Sequence, residues 1–173
     1  MTYLLENDDL GNFIRYEDVA RSYTGEAQGR LASNVMTDIM RKLDKFAGFD
    51  IIGIKFDFST LAYGKVLYGE DDNANFSTNH VDGKIKITAY NGTPKDYEAT
   101  VENLASSLIV HEWFGHGILN YGSHRKLSDN TPAPNHEEVY RLVMNNNSLF
   151  GQTTLKYKVF VLKQCISYQL KFK

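Results

Sequence analysis

Two histidines five residues apart, at the end of an apolar helical run, constrain the fold of this chain more than any other feature. Residues 107–117 read SLIVHEWFGHG and contain His111, Glu112 and His116. Two imidazoles can hold a zinc ion, and the adjacent carboxylate can take a proton from water in the open coordination position. On a regular α-helix, however, five residues turn the two imidazoles about 140° apart. Both histidines can face one metal only if the backbone departs from α-helical geometry.

A single π-turn, which accommodates one extra residue, would bring His111 and His116 back onto one face, and such turns are frequent at functional sites. Gly115 lies where the backbone must loosen. The spacing therefore predicts a π-turn before His116. The simpler alternative, two ordinary polar residues at a helix end without a metal, stays open from the motif alone.

A third ligand is expected near residue 136, where the chain reads PNHEEVYRLVM. Asn135 can cap a helix there, and Glu138 can close a capping box. His136 then lies on the apolar stripe of this helix, together with Tyr140. The stripe consists of His136, Val139, Tyr140 and Val143. His136 is accordingly predicted to point toward the core and the first two histidines.

Glu137 is the alternative third ligand. It is expected to pair with Arg141 at i, i+4 on the exposed face of the helix. A ligand about twenty residues beyond the second histidine, on a following helix, is nevertheless the layout of thermolysin-like zinc proteases, which use glutamate there. From the sequence, the third ligand is His136 or Glu137.

The HEWFGH sequence resembles the HExxGH zinc motif of the dipeptidyl peptidase III family. Roughly residues 100–160 also resemble the zincin-like metallopeptidase domains at the C-terminal ends of RHS-type polymorphic toxins. Val139-Tyr140, Thr153-Thr154 and Lys156-Tyr157-Lys158 carry this wider resemblance. The chain departs from the commonest form of that family at Asn147-Ser148-Leu149-Phe150, where a sequence of the His-Pro-Thr-Trp type is more usual.

The resemblance implies a role for each residue of the site. The metal would be Zn²⁺ held by His111, His116 and His136, and Glu112 would be the general base. It also implies a protein or peptide substrate, and, in a toxin setting, a cognate immunity protein encoded nearby. In zincins the strand before the active-site helix is an edge strand that binds extended peptide, and Lys84–Tyr90 stands at that position in the sequence.

The predicted fold is a single α+β domain spanning residues 1–173, a small zincin-like domain with a short mixed or antiparallel sheet, an active-site helix and a C-terminal helix. Apolar periodicity predicts a helix over 31–46, and alternation predicts strands over 49–58 and 84–90. Turn-forming residues predict a loop or irregular hairpin over 61–80. The active-site helix is expected over 97–116 and the C-terminal helix over 155–172.

Composition excludes several function classes. A net charge of −2 argues against nucleic acid as the main partner. Cys165, the single cysteine, excludes internal disulfides and a thiolate zinc cluster. No signal peptide or membrane-spanning run is expected, so export would depend on a larger protein.

The sequence thus predicts a zinc metallopeptidase, with Tyr140 as a hydrogen-bond donor to the oxyanion that forms during attack by water. Two alternatives remain. The chain could be a catalytically inactive zincin-like binding module, or the metal site could hydrolyse an amide or ester other than a peptide bond.

Overall fold

The computed structural model describes residues 4–6, 13–15, 34, 36–41, 56–70, 74–90, 94–122 and 136–171. Two short strands near the N-terminus pair antiparallel, and the other strands form a separate sheet. The strands are Leu4–Glu6 (β1), Phe13–Arg15 (β2), Leu67–Gly69 (β3), Phe76–Val81 (β4) and Lys84–Tyr90 (β5). The helices are residues 36–41 (α1), Val101–Ala105 (α2), the π-helical segment Ser106–Ile118, His136–Asn145 (α3), Asn147–Gln152 (α4) and Leu155–Lys171 (α5).

The second sheet has the order β3-β5-β4, with β3 parallel and β4 antiparallel to the central strand β5. The described residues are therefore α+β with a three-stranded mixed sheet, in line with the predicted class. β4 and β5 are joined by Asp82 and Gly83, whose φ angles are both positive, at 50° and 74°. Asp-Gly in this conformation makes the tight hairpin turn that matches the twist of the two strands.

The prediction that residues 61–80 form only a loop or irregular hairpin is wrong, because this region supplies β3 and β4. The turn-forming residues obscured two strands that are stabilised by their pairing with β5. The prediction of Lys84–Tyr90 as an edge strand is also wrong. That strand is central, since β3 and β4 pair with it from opposite sides.

The predicted strand over 49–58 is not found in its described part, residues 56–58. The Asp57 side chain accepts a hydrogen bond from the Ser59 backbone N–H at 2.9 Å and begins a 3₁₀ turn, Phe58–Thr60. Phe56 is buried, and its ring packs edge-on against Trp113 with centroids 5.1 Å apart. Side-chain capping and aromatic packing here replace the strand pairing that alternation predicted; residues 49–55 lie outside the described part of the chain.

The helix predicted over 97–116 begins at Val101, four residues later than predicted, with Thr100 as its N-cap. Thr100 Oγ1 accepts from the Asn103 backbone N–H at 3.3 Å. The predicted helix over 31–46 is helical at 34 and 36–41, the residues of that span which the structure describes. Its side chains Met36, Ile39 and Met40 are buried.

The helices after residue 136 agree with the predictions. In α3, Val139, Tyr140 and Val143 are buried, as the apolar stripe requires. The predicted C-terminal helix is α5, Leu155–Lys171. Asn135, the predicted N-cap of α3, lies outside the described residues.

The core lies between the sheet, the π-helical segment and α3 with α5. The buried residues that form it include Ile85, Ile87, Ala89, Leu104, Leu108, Ile109, Trp113, Phe114, Val143, Tyr157 and Val161. Buried Asn103 ties the beginning of α2 to the beginning of α5: its amide donates to Thr154 Oγ1 at 3.0 Å and accepts from the Thr154 backbone N–H at 3.0 Å. Within the described residues, no helix has the length and apolar character needed to cross a membrane.

Candidate metal centre

The helix that carries the HEWFGH sequence changes from α-helical to π-helical geometry at Ser106 and keeps it to Ile118. Its end shows the wider hydrogen bonding directly, since the Leu119 backbone N–H donates to the Phe114 carbonyl at 2.9 Å. With bonds between residues five apart, residues at that spacing lie one above the other. The predicted π-turn is confirmed, and it extends over 13 residues rather than one turn.

This backbone brings the first two imidazoles together. His111 Nε2 and His116 Nε2 are 3.1 Å apart, and their ring centroids are 4.8 Å apart. His116 Nδ1 lies 2.5 Å from the Tyr121 carbonyl oxygen. A carbonyl only accepts, so Nδ1 carries the proton, and in the neutral ring Nε2 keeps its lone pair. Histidine ligands in metal sites are oriented in this way, by donating the second ring N–H to a carbonyl or carboxylate.

His136, the first residue of α3, completes the cluster. One ligand nitrogen from each of His111, His116 and His136 lies within 4.8 Å of the others. The His136 ring centroid is 5.3 Å from that of His111 and 4.7 Å from that of His116. Among the residues that the structure describes, these histidines are the one group of three or more potential metal ligands close enough to hold the same ion.

Glu137, the alternative third ligand, lies elsewhere. Its Oε1 accepts from Arg141 Nε at 2.7 Å and from Gln169 Nε2 at 2.7 Å. The i, i+4 pair with Arg141 is the pairing that the sequence predicts for the outer face of α3. Of the two candidates on this helix, His136 joins the other imidazoles.

Glu112 is buried beside the cluster. Its Oε1 is 3.8 Å from His111 Nε2, and its Oε2 accepts a hydrogen bond from Thr78 Oγ1 at 2.7 Å. Burial raises the pKa of the Glu112 carboxyl, while His116 and the Thr78 hydrogen bond lower it in part. A carboxylate that is removed from bulk water but still held by one donor is suited to accept a proton.

The charge state of the first histidine suits metal binding as well. Burial lowers the pKa of the His111 imidazole well below its usual value, and the nearby His116 and His136 lower it further. The neutral imidazole is the form that coordinates a metal. Tyr140 packs against the same ring, with centroids 4.7 Å apart, and burial together with Tyr168 raises the pKa of its phenol.

Glycine allows the close approach of these elements. A Cβ on Gly115 would lie 2.6 Å from Val139 Cγ1, so only glycine lets the π-helical segment pack this tightly against α3. Gly122 has a φ of 61°, and a Cβ there would lie 3.1 Å from both His116 Cε1 and His136 Cβ. The backbone at Gly122 therefore closes one side of the cluster.

A cleft of about 1070 Å³ contains the cluster. One of its walls, called here the helical wall, is made of the π-helical segment and α3, and carries the three imidazoles, Glu112 and Tyr140. Another part of the lining, called here the strand wall, is residues 76–80 of β4. Among the described strands, none pairs with the outer edge of β4. The same cleft is thus lined by the imidazole cluster and by a strand with which no described strand pairs on its outer side.

Three residues with contacts in the site were not predicted from the sequence. Thr78 holds Glu112, His80 Nε2 lies 2.9 Å from the Gly117 carbonyl oxygen, and Tyr168 stacks on His136. Thr78 and His80 lie on the same face of β4, two residues apart. The Asp82-Gly83 pair just before Lys84 is the hairpin signal that could have located β4. No sequence signal indicates Tyr168.

The donor set fits zinc. Three imidazoles match the number and type of protein ligands in catalytic zinc sites, where a water would take the fourth tetrahedral position. The hydrogen bond from His116 to the Tyr121 carbonyl is a feature of such sites, and the lowered pKa of His111 favours the neutral imidazole that binds metal. Comparison of the chain with protein families, with curated proteins and with solved structures finds no match.

Proposed function

We propose that the chain is a zinc-dependent metallopeptidase with a zincin-like site, in which Glu112 is the general base. One observation carries the proposal: His111, His116 and His136 converge beside a buried carboxylate within a cleft. Convergence of the first two requires π-helical geometry, which is uncommon overall and is frequent at functional sites.

His111, His116 and His136 would hold the zinc ion through one ring nitrogen each. Bound there, zinc would supply Lewis acidity to the attacking water and to the carbonyl of the substrate. The residues of the chain orient the ligands and transfer the protons. The Tyr121 carbonyl fixes the tautomer of His116, and the lowered pKa of His111 favours its neutral ring, so each ring can offer a nitrogen lone pair to a metal.

Glu112 accepts the proton of the attacking water and returns it to the amine that leaves. Thr78 holds one carboxylate oxygen at 2.7 Å, which directs the other oxygen, Oε1, toward the imidazoles. Tyr140 lies on the cluster side of α3 and lines the cleft. Its hydroxyl is the proposed donor to the oxyanion that forms on the substrate.

The strand wall supports a peptide substrate. An extended peptide can pair with the backbone N–H and C=O groups along the outer edge of β4. Such pairing uses the main chain of the peptide and places few requirements on its side chains. β4 takes the role that the zincin resemblance implied for Lys84–Tyr90. The cleft volume, about 1070 Å³, is enough for several residues of extended chain. By the same resemblance, the domain would serve as a toxin or effector.

The test begins with zinc content and ends with cleavage. Purified chain is expected to hold one zinc and to degrade a denatured protein mixture. Glu112→Gln is expected to keep the zinc and to lower the rate of cleavage by about 10²- to 10⁴-fold, the usual contribution of a general base.

Two outcomes would change the proposal. A chain that binds no zinc at saturating metal concentration cannot be this enzyme. One zinc per chain without cleavage of any peptide or protein would favour the binding module instead, and hydrolysis confined to other amides or esters would favour a different hydrolase.

A further inference from the structure

We propose that Tyr168, on the C-terminal helix α5, is a positioning residue that orients His136 for metal binding; this inference rests on the proposed zinc site. The rings of Tyr168 and His136 stack with centroids 4.4 Å apart and planes 9° from parallel. Of the ring pairs in the imidazole cluster and its aromatic neighbours, this one is the closest and the most nearly parallel.

His136 requires such support more than the other two histidines do. His111 and His116 project from one π-helical segment, so their relative positions follow from its backbone. His136 lies on a different element, α3, so its position relative to the other two imidazoles depends on how α3 and the His136 side chain are held against the rest of the fold. A flat ring stacked on the imidazole selects the ring orientation that faces the cluster.

Tyr140 contributes to the same arrangement from within α3. Its ring is 5.2 Å from that of His136 with planes 17° apart, and 6.0 Å from that of Tyr168 with planes 25° apart. The three rings are therefore nearly parallel neighbours. Tyr140 moves with α3, however, whereas Tyr168 belongs to another helix and ties His136 to the rest of the fold.

A second contact, one residue further along both helices, also joins α5 to the start of α3. Gln169 Nε2 donates to Glu137 Oε1 at 2.7 Å, so consecutive residues of α5 bind consecutive residues at the start of α3. This pair of contacts, Tyr168 with His136 and Gln169 with Glu137, is called the latch. The latch explains why Glu137 faces away from the imidazoles while His136 faces toward them.

The test measures zinc affinity by competition with a chelator of known affinity, alongside thermal melting of the metal-free chain. Tyr168→Leu removes the flat ring and is expected to weaken zinc binding about tenfold, the lower end of the effect of groups that orient metal ligands from outside the coordination shell. Tyr168→Phe keeps the ring and is expected to stay within about twofold of the natural chain, because stacking needs no hydroxyl.

Val161→Ala is the matched control. Val161 is buried on the same helix, seven residues before Tyr168, which is about 10 Å along the axis. Its truncation is expected to lower the melting temperature without changing zinc affinity. If Tyr168→Leu does not fold, Gln169→Ala loosens the latch without removing buried volume, and is expected to weaken zinc binding about threefold, as loss of one hydrogen bond allows.

A spectroscopic measurement distinguishes a change in the orientation of the metal ligands from a change in the stability of the fold. With cobalt(II) in place of zinc, the visible absorption reports the geometry of the ligands, and Tyr168→Leu is expected to shift it while Val161→Ala is not. The inference is overturned if Tyr168→Leu changes neither the zinc affinity nor the cobalt spectrum. If only Gln169→Ala folds, an unchanged zinc affinity in that variant overturns it. Either result would leave the proposed metallopeptidase function standing. A natural chain that binds no zinc would overturn both.

Discussion

The two walls of the cleft contribute differently to the same site. The helical wall carries the groups that would do the chemistry, namely three imidazoles and a carboxylate with recognisable spacing. The strand wall carries Thr78 and His80, ordinary residues on an ordinary strand, which hold Glu112 and the Gly117 carbonyl in place. Reactive groups must be of particular types, whereas many residue types can orient them. A sequence motif can therefore identify the residues of the helical wall, but it does not identify those of the strand wall.

The largest expected effect comes from removing a ligand of the helical wall. His116→Ala is expected to weaken zinc binding by more than about 100-fold, beyond the range for residues that only orient ligands. His80→Ala, which alters a histidine of the strand wall, is expected to change zinc affinity by less than about tenfold. Chelator competition measures both. Equal losses in the two variants would mean that the walls do not differ as described.

A large effect on stability is expected where the π-helical segment meets α3. Gly115→Ala places a methyl group 2.6 Å from Val139 Cγ1, and should destabilise the fold by about 1–3 kcal/mol through overpacking. Denaturant unfolding of the metal-free chain measures the loss. Val139→Ala in the same chain should recover part of it by making room. A double variant no more stable than Gly115→Ala alone would show that the close approach at Gly115 is not what limits packing.

On the strand wall, the expected effect is on turnover. Thr78→Val removes the hydrogen bond to Glu112 with little change of shape, and should lower kcat about tenfold, the equivalent of one hydrogen bond to a charged group. KM and zinc affinity should change little. Thr78→Ser keeps the hydroxyl and should retain most of the activity. A fall in zinc affinity equal to the fall in kcat would assign Thr78 to the metal rather than to the base.

The smallest expected effect is on the far side of the π-helical segment. Trp113 Nε1 donates to Thr60 Oγ1 at 2.8 Å, away from the imidazoles. Thr60→Val should destabilise the fold by about 1 kcal/mol and leave zinc affinity within about twofold. Thermal melting and chelator competition check the two statements. Weaker zinc binding here would mean that the whole segment, and not only its cleft side, controls the site.

Helical periodicity was a reliable guide to the fold where burial follows one face. The stripe of α3 and the C-terminal helix α5 were predicted from apolar spacing and are confirmed. The strands were predicted less well. β4 was missed because its residues are only partly buried or exposed, which leaves a weak pattern. β5 was predicted as a strand, but its central position depends on two partners that its own residues do not reveal.

The sequence alone identified His111, Glu112 and His116 as candidate site residues and indicated the need for a π-turn, because both depend on side-chain type and on spacing within one segment. Whether His136 or Glu137 joins the cluster, which strand borders the cleft and what holds Glu112 were decided only by tertiary structure. Those outcomes depend on contacts such as Thr78 with Glu112, 34 residues apart, and Tyr168 with His136. Such contacts arise from packing between elements, and packing is not encoded in any local pattern.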